Sequence, residues 1–343
     1  MKPRIQFITC DRVKDHYGIT SGLFNSATFV ANFLNSQGFD AKLTPVVDSN
    51  SIDKVVTEFD PQIVIIEALW VPPTKFAELF KIHRHKHRKW IVRIHSKAPF
   101  LANEGLATKW LRQYSNLPAP HLLIAPNTKE LTDQLVPVFP DGKFVYLPNI
   151  YHFKKFNRSK RHHNKTWLDI GCFGAIRPMK NTYQQALVAI KFAEKKGMRL
   201  RFHINSSRLE QQGENVLKNL RELFVESPHR LVEHYWMKHD NFLHEISKMD
   251  IGMQASFSES FNIVTADFVN AKIPIVASDD ITWMPWFLKT SPSSSKEMMR
   301  KLNNAYMLKN LSVFFQTVYL KYYNMKAKAI WLIAIDKIKQ IKK

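Results

Sequence analysis

Three stretches of this 343-residue chain carry residue types at spacings that suit binding a small anionic ligand. In ESFNIVTADFVNAKIPIVAS, Glu259 to Ser278, two acids stand in an otherwise apolar run, Glu259 and Asp267, eight positions apart. A helix opening near Phe261 would bring Asp267 back, within two turns, toward whatever Glu259 contacts. That is the geometry of one ligand held at a helix N-terminus. In IGCFGAIRPMKN, Ile170 to Asn181, a strand pattern runs into a turn at Gly174, and Arg177 and Lys180 follow just before a helix. Two cations three apart at that junction are placed to grip a diphosphate, the alternative being a surface pair. In HYGITSG, His16 to Gly22, the glycines Gly18 and Gly22 with Ser21 beside them let backbone N–H groups approach an anion at a helix N-terminus. The spacing is not G-x-G-x-x-G, and an ordinary tight turn accounts for it equally well.

Other groups read as structural. HRHKHR, His83 to Arg88, alternates its imidazoles with cations that would repel a metal, so a solvated or polyanion-facing helix end is expected. Asp279 and Asp280 read as a loop after a strand. Cys10 and Cys172 are far apart and lack metal spacing, which makes them packing residues and fits a reducing compartment without a disulfide framework. Trp283 and Trp286 of WMPW suit core packing or stacking on a ligand. No metal site is expected.

The elements that must position these residues alternate between strand and helix. RIQFIT, AKLTPV, QIVIIEAL, WIVRIH, HLLIAP and FVYLP are separated by amphipathic or capped segments, the pattern of a doubly wound parallel sheet. After a basic stretch the alternation restarts with TWLDIGCFG, LRFHIN, LVEHYW, DIGMQAS and KIPIVAS. The fold class is therefore α/β with two Rossmann-like domains, at 1–150 and 165–310, followed by a basic helical segment at 311–343. The N-terminal apolar run is too short for a signal peptide, and AIWLIAI, Ala329 to Ile335, falls far below the roughly 20 residues of a membrane span. A cytoplasmic protein is expected.

The charge is uneven. Against a formal net charge of +21, residues 1–150 hold 18 Lys+Arg and 13 Asp+Glu, whereas residues 151–343 hold 32 and 16. Tyr151 to Lys165 has six basic residues and no acid, and Lys296 to Lys343 has eleven basic against two acidic. Such fields suit a polyanion, nucleic acid or anionic lipid headgroups, with a merely solubilising face as the alternative.

Taken together and in this order, the stretches resemble the GT-B glycosyltransferases of the retaining, family-4-like group, over roughly residues 4–290. ESFNIVTADFVNAKIPIVAS is similar to that group's E-x7-E motif, GAIRPMKN to its phosphate-binding turn and YGITSGL to its N-terminal glycine loop. VRIHS, Val92 to Ser96, is similar to the strand ending in an active-site histidine, and LPN, Leu147 to Asn149, to the segment before the interdomain linker. One position departs: the second acid is Asp267, a methylene shorter than glutamate. The resemblance implies two sheets facing across a cleft with a C-terminal helix crossing back, a nucleotide-sugar donor such as a UDP-sugar, and no metal or other cofactor. It implies that Glu259 holds the donor sugar's hydroxyls and that the N–H groups of Asn262, Ile263 and Val264 face the distal phosphate. Asp267 would bind the ribose, Arg177 and Lys180 beside the Gly174 turn the leaving diphosphate, and His95 the transferred sugar. Gly18, Ser21 and Gly22 would close over the diphosphate.

The acceptor implied by the charge is polyanionic. DNA is favoured, since HSKAPFLANEG (His95 to Gly105) and the Lys- and Phe-rich composition are similar to bacteriophage-encoded glycosyltransferases that modify hydroxymethylated bases, which places the protein in a host cytoplasm. The alternative is a lipid-linked or lipopolysaccharide glycan at the inner membrane, approached through KAKAIWLIAIDKIKQIKK, Lys326 to Lys343. A GT-B-like domain that binds nucleotide or nucleic acid without transferring sugar is the reading from another class. No protein partner is inferable.

Overall fold

The computed structural model describes residues 2–11, 22–117, 122–156 and 166–340. It forms two compact units, Met1–His152 with Asn324–Lys343, and Phe153–Tyr323. In the first unit β1 (Arg4–Cys10), β2 (Asp40–Val46), β3 (Ile63–Glu67), β4 (Lys89–Ile94) and β5 (Leu122–Pro126) make one parallel sheet in the order β2-β1-β3-β4-β5. The intervening helices are α1 (Gly22–Ser36), α2 (Ile52–Phe59), α3 (Pro73–Lys81), α4 (Ala98–Leu101) and α5 (Ala107–Ser115), and α6 (Lys129–Leu135) follows β5. Every residue of β3, β4 and β5 is buried, so these strands have no solvent face, and their runs are apolar except for Glu67, Lys89 and Arg93. Their core centres on Phe76, whose ring meets Trp90 and Tyr114 edge-on at 6.0 and 5.5 Å.

Two sequence expectations differ here. FVYLP is not a strand: Phe144 makes an isolated bridge to Ile124, and Val145 and Leu147 donate to the carbonyls of Ile124 and Pro126. The ladder is interrupted because Pro126 has no N–H to donate to the Val145 carbonyl, and beyond it the Leu147 and Pro148 carbonyls accept from the Arg93 guanidinium. In HRHKHR, His85 and Arg88 are buried rather than solvated. Asp53 holds Arg84 and His85, both at 2.7 Å, and Asp60 holds Arg88 at 2.9 Å, so the tract ties this turn to α2.

The second unit contains β6 (Trp167–Gly171), β7 (Arg199–Asn205), β8 (Arg230–His234), β9 (Ile251–Gln254), β10 (Ile275–Ser278) and the two-residue β11 (Lys289–Thr290). Its helices are α7 (Thr182–Lys195), α8 (Gly213–Leu223), α9 (His239–Ile246), α10 (Ile263–Asn270) and α11 (Ser295–Met307). The parallel sheet runs β11-β10-β9-β6-β7-β8. The chain starts at the centre with β6, builds outward through β7 and β8, then returns to the other side of β6 with β9. The switch point lies between β6 and β9, and in sheets of this order ligands bind beyond the carboxyl ends of the two strands that flank it. Helix α10 lies close on this part of the sheet. A Cβ at Gly252 would meet the Phe268 ring at 2.7 Å and Ile275 at 2.8 Å, so only glycine permits that approach.

The last helix, α12 (Lys309–Gln340), is continuous, and its residues from Asn324 onward belong to the first unit. There Asn324 brackets the backbone of Tyr151 with bonds of 2.9 and 2.8 Å, and the Trp331 indole donates to the Pro148 carbonyl at 2.7 Å. Among the described residues no helix is long and apolar enough to cross a membrane.

Candidate active site

The loops leaving β6 and β9 carry most of the residues singled out in the sequence. After β6 the chain turns at Gly174, whose φ of 120° disfavours any side chain and whose N–H donates to Asn205 Oδ1 at 3.0 Å. A single 3₁₀ turn, Pro178–Lys180, follows, and Asn181 in left-handed conformation opens α7. The Asn181 amide donates to the carbonyls of Ala255 and Pro292, at 3.2 and 2.9 Å, which ties this turn to the end of β9. Phe257 N–H reaches back to the Met179 carbonyl at 2.9 Å. Arg177 and Lys180 are thereby fixed beside the β9 loop by backbone geometry rather than by their own side chains.

Each cation is held by a carboxylate. Lys180 Nζ donates to Glu259 Oε1 at 2.5 Å, with the two side chains 16% and 9% exposed. Arg177 Nη1 donates to Glu210 Oε2 at 2.6 Å, and Arg208 takes the other oxygen. Burial works to raise the Glu210 carboxyl, and the charges of Arg208 and Arg177 outweigh it, so it stays ionised well below the usual range. Glu259 is itself positioned through its backbone N–H, which donates to Asp280 at 3.1 Å.

Helix α10 begins four residues beyond Glu259. Its N-cap is Asn262, at φ 59°, whose side chain accepts from Thr265 N–H at 2.8 Å and donates to Gln254 Oε1 at 2.8 Å. The cap claims the Thr265 N–H, so Ile263 and Val264 supply the first helical N–H groups, which a helix leaves without intrahelical partners. These donors and the helix dipole favour an anion at this end. The buried hydroxyls of Ser256, Ser258 and Thr265 have no hydrogen-bond partner among the described residues. Three such groups within ten residues cost about 1–3 kcal/mol each unless a ligand or water satisfies them. Two of them, Ser256 and Ser258, lie on the β9–α10 loop and the third, Thr265, on the first turn of α10.

Asp267 sits on α10 with 2% exposure, and its Oδ1 lies 2.7 Å from Nε2 of His239, the first residue of α9. His95 belongs to the first unit, directly after β4, where its Nε2 is hydrogen-bonded to the buried Glu67. Arg93 donates to the same carboxylate at 3.1 Å and to Asn149 at 2.6 Å. Burial holds the His95 ring below its ordinary value against the pull of Glu67, which favours a neutral imidazole. Gly22 opens α1, while Gly18 and Ser21 lie outside the described residues.

Sequence reasoning missed Asn181, Asn205, Glu210, His239, Gln254 and Asp280. Asn181 ends the quoted turn motif, Gln254 lies five residues before Glu259 and Asp280 was read only as a loop residue, whereas Asn205, Glu210 and His239 come from separate elements that no spacing connects to the motifs. The unpaired hydroxyls of Ser256 and Ser258 flank Glu259 closely enough that the run QASFSES, Gln254 to Ser260, could have drawn notice as a polar break between apolar elements. WMPW divides: Trp283 is buried and donates to the Phe261 carbonyl at 2.9 Å, whereas Trp286 is 73% exposed.

No protein-family model matches the chain, and no curated protein matches it by sequence. Solved structures do match. A sucrose-phosphate synthase from Thermosynechococcus elongatus superposes with a TM-score of 0.73 over 98% of both chains, at 11% identity. The chain has the GT-B fold. A trehalose-6-phosphate synthase, OtsA, gives 0.73 over 99% of both at 12% identity. Anabaena HepE in complex with UDP and glucose gives 0.66 over 98% of this chain and all of that one, at 11% identity.

Proposed function

We propose that this chain is a glycosyltransferase that moves a sugar from a nucleoside-diphosphate donor, a UDP-sugar, to a hydroxyl of a polyanionic acceptor with retention of configuration. The observation that carries the reading is the convergence at the β6–β9 switch point. Two cations, a carboxylate, a capped helix N-terminus and three unpartnered hydroxyls meet at the one place where this sheet topology opens. The likeness to sugar-nucleotide enzymes, one of them in complex with UDP and glucose, supports it.

In this reading the bond between the anomeric carbon and the distal phosphate oxygen breaks, and the diphosphate leaves with the electron pair. Arg177, Lys180 and the α10 N-terminus neutralise the charge that develops there. Pairing with Glu210 and Glu259 preorganises both cations, and the donor competes for them on entry. Glu259 turns to the sugar hydroxyls as Lys180 takes the phosphate. Asp267, with His239 sharing the contact, is assigned to the ribose, and His95 to the transferred sugar. Gly174, with Gly18, Ser21 and Gly22, is assigned to close backbone approach at the diphosphate. The acceptor hydroxyl attacks from the face the diphosphate leaves and passes its proton to the departing phosphate oxygen, so no protein nucleophile or metal enters.

DNA bearing hydroxymethylated bases is the favoured acceptor, on the strength of the basic segments; Asn157 to Lys165 of the first segment lies outside the described residues. One observation favours a membrane-surface glycan instead. Leu311, Phe314, Val318, Tyr322 and Met325 are all exposed along α12 at helical spacing, with Lys309, Lys321 and Lys326 on the same helix. The test is nucleotide release from a panel of UDP- and GDP-sugars, with and without duplex DNA containing 5-hydroxymethylcytosine or 5-hydroxymethyluracil, followed by mass analysis of the nucleosides. A gain of one hexose or pentose on the modified base supports the DNA acceptor. Turnover that needs anionic vesicles bearing a glycolipid moves the acceptor to the membrane, and no turnover with any donor overturns the enzyme reading.

A further inference from the structure

Outside the donor residues, one more cluster in the second unit has the makings of a site. His203 on β7 and His234 at the end of β8 lie on one face of the sheet, because the register aligns His203 with Val232 and Asn205 with His234. Their rings stack at 5.2 Å with planes 22° apart, and His203 Nδ1 lies 2.9 Å from His234 Nε2. Glu245 on α9 brings a carboxylate oxygen to the same point, so that three ligand atoms fall within 4.8 Å of one another. Among the described residues it is the one group of three histidine, cysteine or acidic side chains so arranged.

The surroundings set the protonation needed for ligation. His203 Nε2 lies 2.9 Å from Asp169 Oδ1, and Arg201 donates to the other Asp169 oxygen at 2.6 Å. A carboxylate oxygen at that distance accepts from Nε2–H, which leaves the Nδ1 lone pair on the side of His234. This is the carboxylate–histidine arrangement that orients and strengthens an imidazole ligand. Phe173, edge-on to the His234 ring at 5.5 Å, supplies an apolar wall.

We propose that His203 Nδ1, His234 Nε2 and a Glu245 oxygen form a binding site for one divalent transition-metal ion, with Zn²⁺ the ion they fit. Two nitrogens and one oxygen are a borderline donor set suited to zinc in a tetrahedron completed by water. Zinc–nitrogen bonds of about 2.0–2.1 Å at a tetrahedral angle put the nitrogens about 3.3 Å apart, so the two rings need to open by only a few tenths of an ångström. One local charge opposes the ion. Lys248 Nζ holds Glu245 Oε2 at 2.5 Å, and at 44% exposure it is free to swing into solvent when the carboxylate turns. The bound ion would pin α9 to the β7–β8 edge. Its binding does not depend on the glycosyl-transfer reading.

The test starts from full-length protein stripped with a chelator. Zn²⁺ affinity is measured by competition with a chromogenic chelator, and Co²⁺ is titrated while its visible absorption is followed. One ion per chain is expected, with the intense cobalt bands of a four-coordinate site and a higher melting temperature. His234→Ala and Glu245→Gln should each weaken binding at least tenfold. Asp169→Asn, which leaves all three ligands in place, should weaken it by about 10–100-fold. His83→Ala, in the other histidine-rich tract, should leave it unchanged. Absence of binding at micromolar zinc, or binding that falls in the His83 variant and survives in folded His234→Ala and Glu245→Gln, overturns the site.

Discussion

Replacing Glu67 by glutamine tests how the first unit holds its histidine. The amide has the shape of the carboxylate, so no cavity opens, and what disappears is one buried negative charge. Arg93 and Glu67 are both 0% exposed, with Nη1 donating to Oε1 at 3.1 Å. Stranding one member of a buried pair costs about 3–5 kcal/mol. Arg93 keeps three neutral acceptors, the Leu147 and Pro148 carbonyls and Asn149 Oδ1, at 3.2, 2.9 and 2.6 Å. The loss therefore falls at the low end, about 3 kcal/mol, or about 6–12 °C in melting temperature for a unit of this size. Burial pushes the Glu67 carboxyl up, but Arg93 and His95 pull it further down, so it titrates below its usual 4.5 in the folded state. Its contribution is then complete above that value and lost as pH falls through the folded one. Urea unfolding of wild type and Glu67→Gln at pH 7 and at progressively lower pH is the assay. A difference below 1 kcal/mol at pH 7, or one that stays constant on acidification, would refute the reasoning. Adding Arg93→Met to the variant should restore stability, since it removes the stranded charge.

Asn262→Ala removes the cap on Thr265 N–H and leaves Gln254 short of a donor, so it should cost about 1–2 kcal/mol in chemical unfolding, whereas Asn262→Gly, which accepts the positive φ, should cost less. Gly252→Ala drives a methyl into the Phe268 ring and should destabilise by about 1–3 kcal/mol by calorimetry; a neutral result would mean that α10 is loosely seated. Burial lowers the pKa of His85, His95 and His234, so the folded protein binds fewer protons than the unfolded chain below their usual 6.5. Stability should be full above 6.5 and decline as pH falls from there toward the folded values, seen as a lower melting temperature at pH 5.5 than at 7.5 at constant ionic strength.

The alternation of apolar runs with amphipathic segments was enough to read two parallel sheets, because strands covered on both faces keep long apolar stretches even where a buried polar residue such as Glu67 or Arg93 interrupts them. It misled at FVYLP, where Pro126 of β5 has no N–H for the ladder, and it passed over β11, which is only two residues long. Arg177, Lys180 and Glu259 were legible by type and by position relative to strand ends. What they touch was not, since Glu210 and Asp280 are placed by the strand order, which no local pattern encodes. Asp267 shows the same limit: its spacing from Glu259 suggested a shared ligand, while its hydrogen-bond neighbour is His239 on the preceding helix.

The central claim, that the β6–β9 switch point grips a nucleoside diphosphate through Arg177, Lys180 and the α10 N-terminus, is tested most directly by calorimetric titration of UDP and GDP into wild type, Lys180→Ala and Arg177→Ala. The account predicts one site per chain for one of these nucleotides, weakened at least tenfold in each variant while both variants remain folded, with Lys180→Ala melting lower because it strands the carboxylate of Glu259. Equal affinity in all three proteins, or no binding of either nucleotide to wild type, would contradict it.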